Sequence, residues 1–360
     1  MEALTGDEGN LAQRASRQWP AKVTIAQIAE AAGVSAATVS KVLNGRSEVS
    51  AATRQRVQTL LLERRYQRRA SSGNAPPPVI DLVFPELDSA WAMEIVKGAV
   101  SAAARAGLTI ALTSLSDSSG PQTWLEQICA RGTRGIILLL SRLSDQEKAE
   151  LWSRHLPFAV VDPRGEQDPS VTTVGATNWA GGLAATRHLI ELGHRRIGVI
   201  SGRPDLLCSR ARMDGYRSAM EAAGLPLAPE LMQWGDFGVD GGFREATAML
   251  SLPDRPTAIF AGNDLQAMGV LEAARVLHLR VPDGLSVVGF DDLPLARWTS
   301  PPLTTVRQPL AEMATTAVGL LLAQEPGERP EARSIELATT LVPRETTAPC
   351  PLSARSDLAR

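Results

Sequence analysis

The chain has 360 residues, of which 44% are hydrophobic and 21% charged, and its formal net charge is −2. This length predicts two or three domains, and no apolar run approaches the roughly 18 residues that a membrane-spanning helix needs. The three cysteines form no metal-ligand spacing, and the first twenty residues contain no secretory apolar segment. Together these features predict a cytoplasmic protein without a membrane, metal or cofactor requirement.

The first predicted elements are two short helices joined by a tight turn between residues 23 and 45. Thr24 can cap the first helix and Ser35 the second, while Gly33 supplies a left-handed turn residue between them. Apolar residues recur at helical spacing along both helices, at Ile25, Ile28, Ala29, Ala32, Val39, Val42 and Leu43. This arrangement is typical of a helix-turn-helix, whose second helix enters the DNA major groove.

A third helix is predicted from Ala51 to about Tyr66, with Ser50 as its cap and Val57, Leu60 and Leu61 on its inner face. Positive charge is concentrated in the same part of the chain. Residues 20–70 contain nine Lys or Arg and three Glu, a net charge of +6, so the remainder carries −8. A positive field confined to one end favours nucleic acid as a partner.

Several short strings in this segment match one family. They are Thr24–Ala29, Gly33–Ser35, Thr38–Ser40, Val42–Gly45 and Val49–Ser50. Together they resemble the headpiece of the lac-repressor family, which implies a sequence-specific DNA-binding regulator. In that family the residues matching Ala36 and Ala37 are the main specificity positions, and larger polar side chains are common there. Because alanine offers few contacts, recognition of the operator sequence would depend more on Lys41, on the linker and on DNA shape.

Candidate DNA contacts lie on the outer face of the second helix and near the helix starts. Lys41 can donate to guanine O6 and N7, and the alanines offer small apolar contacts. The residues predicted to face bases are Ser35, Ala36, Ala37, Ser40 and Lys41. The residues predicted to contact phosphates are Thr24, Thr38, Asn44, Ser50, Thr53 and Arg54. For any single residue, helix capping or solvation is an equally good explanation.

Residues 67–78 are predicted to be a linker, because they are first basic, then small and polar, then proline-rich. The family's usual hinge has Pro-Asn after the tyrosine and a leucine that wedges into the minor groove, and neither follows Tyr66. Arg68 and Arg69 can enter a narrow minor groove instead, and a solvated basic tether is an equal alternative. The helix-turn-helix domain is thus assigned to residues 21–66, with flexible tails at 1–20 and 346–360.

From residue 79 the sequence alternates between apolar runs and amphipathic helix patterns. The predicted strands are Val79–Phe84, Leu108–Thr113, Gly135–Leu140, Phe158–Val161, Arg196–Ile200, Thr257–Phe260 and Leu285–Phe290. The predicted helices are Ala90–Arg105, Ala180–Leu192, Ser209–Ala223, Gly241–Leu250, Leu265–Leu277 and Ala311–Leu322. Apolar strands separated by helices predict parallel sheets covered on both faces, and so two doubly wound subdomains of an α/β fold. Such folds bind ligands beyond the carboxyl ends of their strands.

Strings in this half resemble the same family, at Thr186–Ile197, Pro256–Asp264, Val288–Asp292 and Pro302–Gln308. The resemblance implies a periplasmic-binding-protein-like core over residues 79–345 that binds a small effector and forms a homodimer. Its N-subdomain would span about 79–177 and 307–330, and its C-subdomain about 178–306 and 331–345. The expected architecture is therefore a three-helix helix-turn-helix headpiece followed by a two-subdomain doubly wound core.

Effector-binding candidates come from strand ends and helix starts that match the family's motifs. They are Trp91, Asp162, Arg212, Phe237, Asn263, Asp291 and Gln308. A guanidinium, carboxylates and amides each bind vicinal hydroxyls, and an aromatic ring stacks on the apolar face of a sugar, so the set suits a neutral polyol. Asp291 can instead cap a turn, and Trp91 can be a core residue. Arg212 can instead pair with Asp214 or Glu221.

These features predict a transcriptional regulator, most simply a repressor of carbohydrate uptake or catabolism genes. Its partners would be double-stranded operator DNA, a small sugar or oligosaccharide effector and a second copy of the chain. A sugar-binding receptor of a transport system would share the core but would not need the basic headpiece. A sugar-modifying enzyme would need a catalytic constellation, and the surroundings of the four histidines contain none.

Overall fold

The computed structural model describes residues 25–43, 49–63, 77–85, 89–115, 121–165, 168–324 and 332–350. The chain forms two compact units, residues 1–76 and 77–360. Four predicted DNA contacts, Thr24, Asn44, Arg68 and Arg69, lie outside the described residues, as does most of the predicted linker.

The first unit contains three helices in its described part. They are α1 (Ile25–Ala32), α2 (Ala36–Leu43) and α3 (Ala51–Glu63). Gly33 follows α1 with φ +65°, and the Val34 N–H donates to the carbonyl of Ala29 at 3.0 Å, which ends the helix and starts the turn. The buried side chains between the helices are Ile28, Ala29, Ala32, Val39, Val42 and Val57. This core confirms the helical spacing read from the sequence.

The second unit is built from strands and helices in alternation. Its strands are β1 (Val79–Phe84), β2 (Thr109–Ser114), β3 (Gly135–Leu139), β4 (Phe158–Val161), β5 (Thr173–Ala176), β6 (Ile197–Ser201), β7 (Met232–Trp234), β8 (Ala258–Ala261), β9 (Ser286–Asp291), β10 (Thr304–Arg307), β11 (Ser334–Leu337) and β12 (Thr340–Val342). Its helices are α4 (Ala90–Arg105), α5 (Pro121–Ala130), α6 (Asp145–Ser153), α7 (Asn178–Glu191), α8 (Leu207–Ala222), α9 (Val239–Leu250), α10 (Asp264–Val276) and α11 (Leu310–Leu322).

Within the described residues, the strands form two sheets of six strands each. The first sheet has the order β11-β5-β4-β3-β1-β2 and is parallel throughout. The second has the order β12-β10-β9-β8-β6-β7 and is parallel except for β12. Every residue of β3, β4, β6, β8 and β9 is buried, because helices cover both sheet faces. The doubly wound α/β fold with two subdomains is thus confirmed.

All seven predicted strands form, and the six predicted helices lie within two residues of their expected bounds. The sequence did not indicate β5, β7, β10, β11, β12, α5 and α6 as strands or helices. Three of these strands lie at sheet edges, where the pattern is short or only half-buried, as in the three residues of β7. In α6, the buried side chains are Lys148 and Leu151, which leaves no apolar stripe to detect.

The chain passes between the subdomains three times, after β5, after β10 and between β11 and β12. The predicted boundary at residue 330 was too early, because Ser334–Leu337 pairs with β5 in the first sheet. The predicted tail from residue 346 also starts too early. Thr346 is fully buried and donates to the carbonyl of Val287, and the Cys350 N–H donates to the carbonyl of Leu192. Across the described helices, none is long and apolar enough to cross a membrane.

Candidate functional site

A cavity of about 320 Å³ lies between the carboxyl ends of the two sheets. This volume lies in the range of pockets that enclose small molecules. Six of the seven predicted effector residues line its wall, and they are Trp91, Asp162, Arg212, Phe237, Asn263 and Asp291. Trp91 lines the cavity and also packs against the core of the first subdomain, as the core-residue alternative expected. The seventh residue, Gln308, lies behind the wall.

Arg212 is the central residue of this cavity and is only 3% exposed. Its Nε donates to Asn178 Oδ1 at 2.9 Å, and its Nη1 donates to the carbonyl of Gly262 at 2.6 Å. Its guanidinium also lies 3.8 Å from the ring centroid of Phe290. The alternative pairing with Asp214 or Glu221 is wrong, because the carboxylate near Arg212 is that of Asp291, at 3.7 Å, and Asp214 pairs with Arg217. These contacts hold the guanidinium in one orientation and leave N–H groups for the cavity.

Gln308 connects Arg212 to the carboxylate of Asp162. Its Oε1 accepts from Arg212 Nη2 at 2.9 Å, and its Nε2 donates to Asp162 Oδ2 at 3.1 Å. Gln308 immediately follows β10, where the chain crosses between subdomains, and Asp162 follows β4 of the first subdomain. The amide therefore joins a crossover segment to the cavity wall, a positioning role rather than a place on the wall.

Two buried carboxyl groups line the cavity beside Arg212. Burial raises the pKa of Asp291 to about 7, against the opposing effect of the Arg212 charge. Burial likewise raises the pKa of Asp162 to about 6, opposed by Arg212 and by the hydrogen bond from Gln308. Asp291 Oδ1 is buried without a hydrogen-bond partner among the described residues. An unpaired buried oxygen at a cavity wall is a natural position for a ligand donor such as a hydroxyl.

Asn263 and Gly202 together position the ring of Phe237 on the cavity wall. Asn263 caps α10 by accepting from the Gln266 N–H at 2.8 Å, and its Nδ2 donates to the carbonyl of Phe237 at 3.0 Å. The ring of Phe237 occupies the space where a side chain at position 202 would lie, so Gly202 is required there. Asn263 thus places Phe237 as well as lining the cavity.

Backbone strain is concentrated at this cavity. Four non-glycine residues on its wall have positive φ: Leu140 (47°), Asp162 (48°), Phe237 (66°) and Asp291 (104°). Such conformations cost free energy, and they cluster at functional sites where the surroundings hold them. The strained residues lie at or just after strand ends, where they direct side chains into the cleft.

Several wall residues were missed by the sequence reasoning. They are Pro85, Ser89, Leu140, Arg164, Arg203, Leu206, Cys208, Asp236, Gly238 and Leu265. Most lie in loops directly after β3, β4, β6 and β7 or at the start of a helix. Their position after a predicted strand or before a predicted helix is the sequence feature that could have identified them. Of the weaker candidates, Asn178 orients Arg212, Trp179 is 46% exposed, and Glu86 and Asp88 lie outside the described residues. Within the described ranges, no three His, Cys, Asp or Glu side chains converge as metal ligands.

In the first unit, α2 presents a face of mostly exposed residues. Ser35, Ala36, Ala37 and Lys41 are exposed, and Thr38, Ser40, Thr53 and Arg54 are half-buried. Ser35 caps α2, since its Oγ accepts from the Thr38 N–H at 3.1 Å. Ser50 caps α3 in the same way through the Thr53 N–H at 3.3 Å. Capping is therefore realised for both serines, and it leaves their position on the outer face unchanged.

Comparison with known proteins agrees with this architecture. Residues 24–68 match the family described as bacterial regulatory proteins, lacI family, and residues 186–347 match a periplasmic binding protein-like domain. The HTH-type transcriptional repressor PurR of Escherichia coli O139:H28 is 34% identical over 334 residues, covering 91% of this chain and 98% of PurR.

Solved structures of regulators are also similar over nearly the whole chain. The transcriptional regulator CelR in complex with cellobiose has a TM-score of 0.69 and 31% identity, with 90% of this chain and 100% of CelR covered. The lac repressor dimer bound to operator and the anti-inducer ONPF has a TM-score of 0.67 and 28% identity, with 91% and 99% covered. These relatives exclude the transport-receptor and enzyme alternatives. The chain belongs to the lacI family of bacterial regulatory proteins and is a DNA-binding transcriptional regulator.

Proposed function

We propose that this regulator is a cytoplasmic repressor of carbohydrate uptake or catabolism genes, and that a sugar or oligosaccharide bound in the cavity controls its operator affinity. The observation that carries the proposal is that the charged side chains of Arg212 and Asp291 line the same cavity as the aromatic ring of Phe237. Charged donors and acceptors of fixed orientation bind vicinal hydroxyls, and the ring of Phe237 suits the apolar face of a sugar. The likeness to CelR, whose structure contains cellobiose, supports the same ligand class.

Control of DNA binding would follow from movement of one subdomain against the other. The three crossovers form the natural hinge, and two of them are tied together where the Thr339 N–H donates to Thr177 Oγ1 at 2.9 Å. An effector that bridges Asp162 of one subdomain and Arg212 of the other would favour a closed cleft. Only a difference in its affinity for the two states can shift the equilibrium. Relief of repression by an inducer is the direction we propose.

The proposed DNA contacts lie on the outer face of α2 and at the start of α3. Lys41 would read a base edge, and Ser35, Ala36, Ala37 and Ser40 would accompany it in the groove. Thr38, Ser50, Thr53 and Arg54 would contact phosphates, as would Thr24, Asn44, Arg68 and Arg69. A homodimer would place two headpieces on the half-sites of a pseudo-palindrome.

A thermal-shift screen over mono- and oligosaccharides tests the effector class. A ligand present at 100 times its Kd adds about 2.7 kcal/mol of stability, which raises Tm by several degrees. Fluorescence anisotropy with operator DNA should then show weaker binding when that sugar is added. The variant Asp291→Ala should keep its DNA affinity and lose the response to sugar. A screen in which no saccharide raises Tm would contradict the proposal.

A further inference from the structure

A second polar cluster lies at the mouth of the cavity, away from Arg212. Arg164 and Arg203 both line the cavity, and they come from opposite subdomains, in the loops after β4 and β6. The carboxylate of Asp205 holds both arginines. Arg203 Nε lies 3.1 Å from Asp205 Oδ1, and Arg164 Nη2 is paired with Asp205 Oδ2. We call these three residues the mouth clamp.

The backbone reinforces the mouth clamp. Arg164 forms an isolated antiparallel bridge with Leu206, the residue after Asp205, so the two subdomains meet at this point as well as at the crossovers. The hydrogen bond from Arg164, followed by that from Arg203, lowers the pKa of Asp205 to about 2. The carboxylate therefore stays charged at neutral pH and keeps the arginines in place.

The two arginines retain donors that Asp205 does not use. Asp205 accepts from Nη2 of Arg164 and from Nε and Nη2 of Arg203. Within the described part of the chain, Nε and Nη1 of Arg164 and Nη1 of Arg203 make no side-chain hydrogen bond. The side chains of Arg164 and Arg203 are 34% and 54% exposed, whereas that of Arg212 is 3% exposed. These open donors are oriented yet accessible, as a ligand-binding group requires.

The mouth clamp is separate from the buried cluster around Arg212. Burial raises the pKa values of Asp162 and Asp291, and the charge of Arg212 opposes this rise. No ion pair joins the two clusters within the described residues. The cavity also has a substantial apolar lining, provided by Trp91, Leu140, Leu206, Phe237 and Leu265. The cavity wall thus combines a buried polar cluster, a more exposed one and an apolar lining that suits the faces of sugar rings.

We propose that the mouth clamp is a second saccharide subsite, so that the effector is a disaccharide or longer and its far ring is bound by Arg164 and Arg203. This inference rests on the proposed function of the cavity. A monosaccharide at Arg212 would leave the clamp unused. A longer ligand would engage arginines of both subdomains, so closure of the cleft would depend on ligand length.

Calorimetric titration of the full chain with matched pairs of sugars tests the subsite, using glucose with cellobiose and xylose with xylobiose. In the wild type, one disaccharide should bind at least tenfold more tightly than its own monosaccharide. The variant Arg203→Met should lose most of this difference, roughly tenfold, and keep the monosaccharide affinity. Asp205→Asn should act in the same direction, because it releases both arginines.

Arg275→Met is the matched control, since it removes an exposed arginine of α10 whose partner is Glu272, outside the cavity. Its affinities for both sugars should equal those of the wild type. A wild type that binds monosaccharide as tightly as disaccharide would overturn the subsite, as would an Arg203→Met variant weakened equally for both. Failure of every sugar to bind would overturn the proposed function itself, and the two failures are thereby distinguished.

Discussion

Arg212 and Asp291 are both almost fully buried, yet Nη2 of the arginine lies 3.7 Å from Oδ1 of the aspartate, beyond hydrogen-bond distance. The guanidinium instead donates to neutral groups, the side chains of Asn178 and Gln308 and the carbonyl of Gly262. A buried carboxylate that lacks such a hydrogen bond is costly to keep charged. Asp291 Oδ1 therefore remains an acceptor to which a hydroxyl-bearing ligand can donate.

The first prediction concerns the pH dependence of stability. Burial raises the pKa of Asp291 to about 7, above the ordinary value of 3.8 for the unfolded chain. Between these values the folded state binds more protons than the unfolded state, so its stability falls as pH rises and levels off above about 7. Asp291→Asn removes this cost. Its Tm should exceed that of the wild type by a few degrees at pH 8, and its loss of Tm between pH 5.5 and 8 should be smaller.

Differential scanning calorimetry at the two pH values measures this effect. Asp283→Asn is the control, because it replaces an exposed carboxylate of the same subdomain whose distance to Arg280 is 3.7 Å. The control should keep the wild-type pH dependence. An equal fall in Tm for Asp291→Asn and the wild type would show that Asp291 is not the group that titrates.

The second prediction concerns the space that Gly202 leaves for Phe237. A methyl group at position 202 would collide with the phenyl ring, which must then move out of its place on the cavity wall. Gly202→Ala should therefore destabilise the core by about 1–3 kcal/mol. It should also weaken sugar binding, since the aromatic wall is displaced. Tm and calorimetric Kd are the measurements.

Gly319→Ala provides a contrast with the same chemical change. Gly319 is an exposed residue inside α11, and a methyl group there meets no atom within 4 Å. Alanine is favoured over glycine in a helix interior by roughly 0.5–1 kcal/mol, so this variant should be more stable than the wild type. A fall in Tm for both variants would mean that the collision with Phe237 is not the cause.

The sequence anticipated the buried end of the cavity better than its mouth. Asp291 ends an unbroken apolar strand and Arg212 lies in the first half of a helix, and both positions matched the family's motifs. Arg164 and Arg203 lie in exposed loops, where the sequence pattern indicates only a solvated arginine. Their shared contact with Asp205 forms only in the folded protein. Gln308 was expected to touch the ligand because it matched a family motif. Gln308 instead lies behind the cavity wall, between Arg212 and Asp162. That position depends on the path of the chain after β10, which no local sequence pattern indicates.

The same reasoning explains the errors at the chain's domain boundaries. Strand β11 reads Ser-Ile-Glu-Leu and is not continuously apolar, and its membership of the first sheet depends on pairing with Thr173–Ala176, some 160 residues earlier in the chain. The segment from Thr346 to Cys350 is polar and small, like a tail. It is fixed by hydrogen bonds such as that from the Thr304 N–H to Thr346 Oγ1 at 2.8 Å, which only the assembled fold provides.

The third prediction concerns Lys41, an exposed residue in the last turn of α2. If it reads a guanine edge, Lys41→Ala should weaken binding to the preferred operator by about 1–3 kcal/mol, which is roughly 5- to 150-fold. Binding to an operator whose matching G·C pair is replaced should hardly change, because the specific contact is already absent there. Fluorescence anisotropy at two salt concentrations gives both the affinity and the salt dependence.

Lys97→Ala is the control for Lys41, because it makes the same change of net charge on α4, in the second unit. Its exposed ammonium group pairs with Glu94, so its loss should leave operator affinity and the salt dependence unchanged. A uniform weakening of Lys41→Ala across all DNA sequences, with the salt slope reduced by about one, would identify a phosphate contact instead. Base specificity would then have to come from the other residues of α2 and from DNA shape, since Ala36 and Ala37 offer no hydrogen bonds.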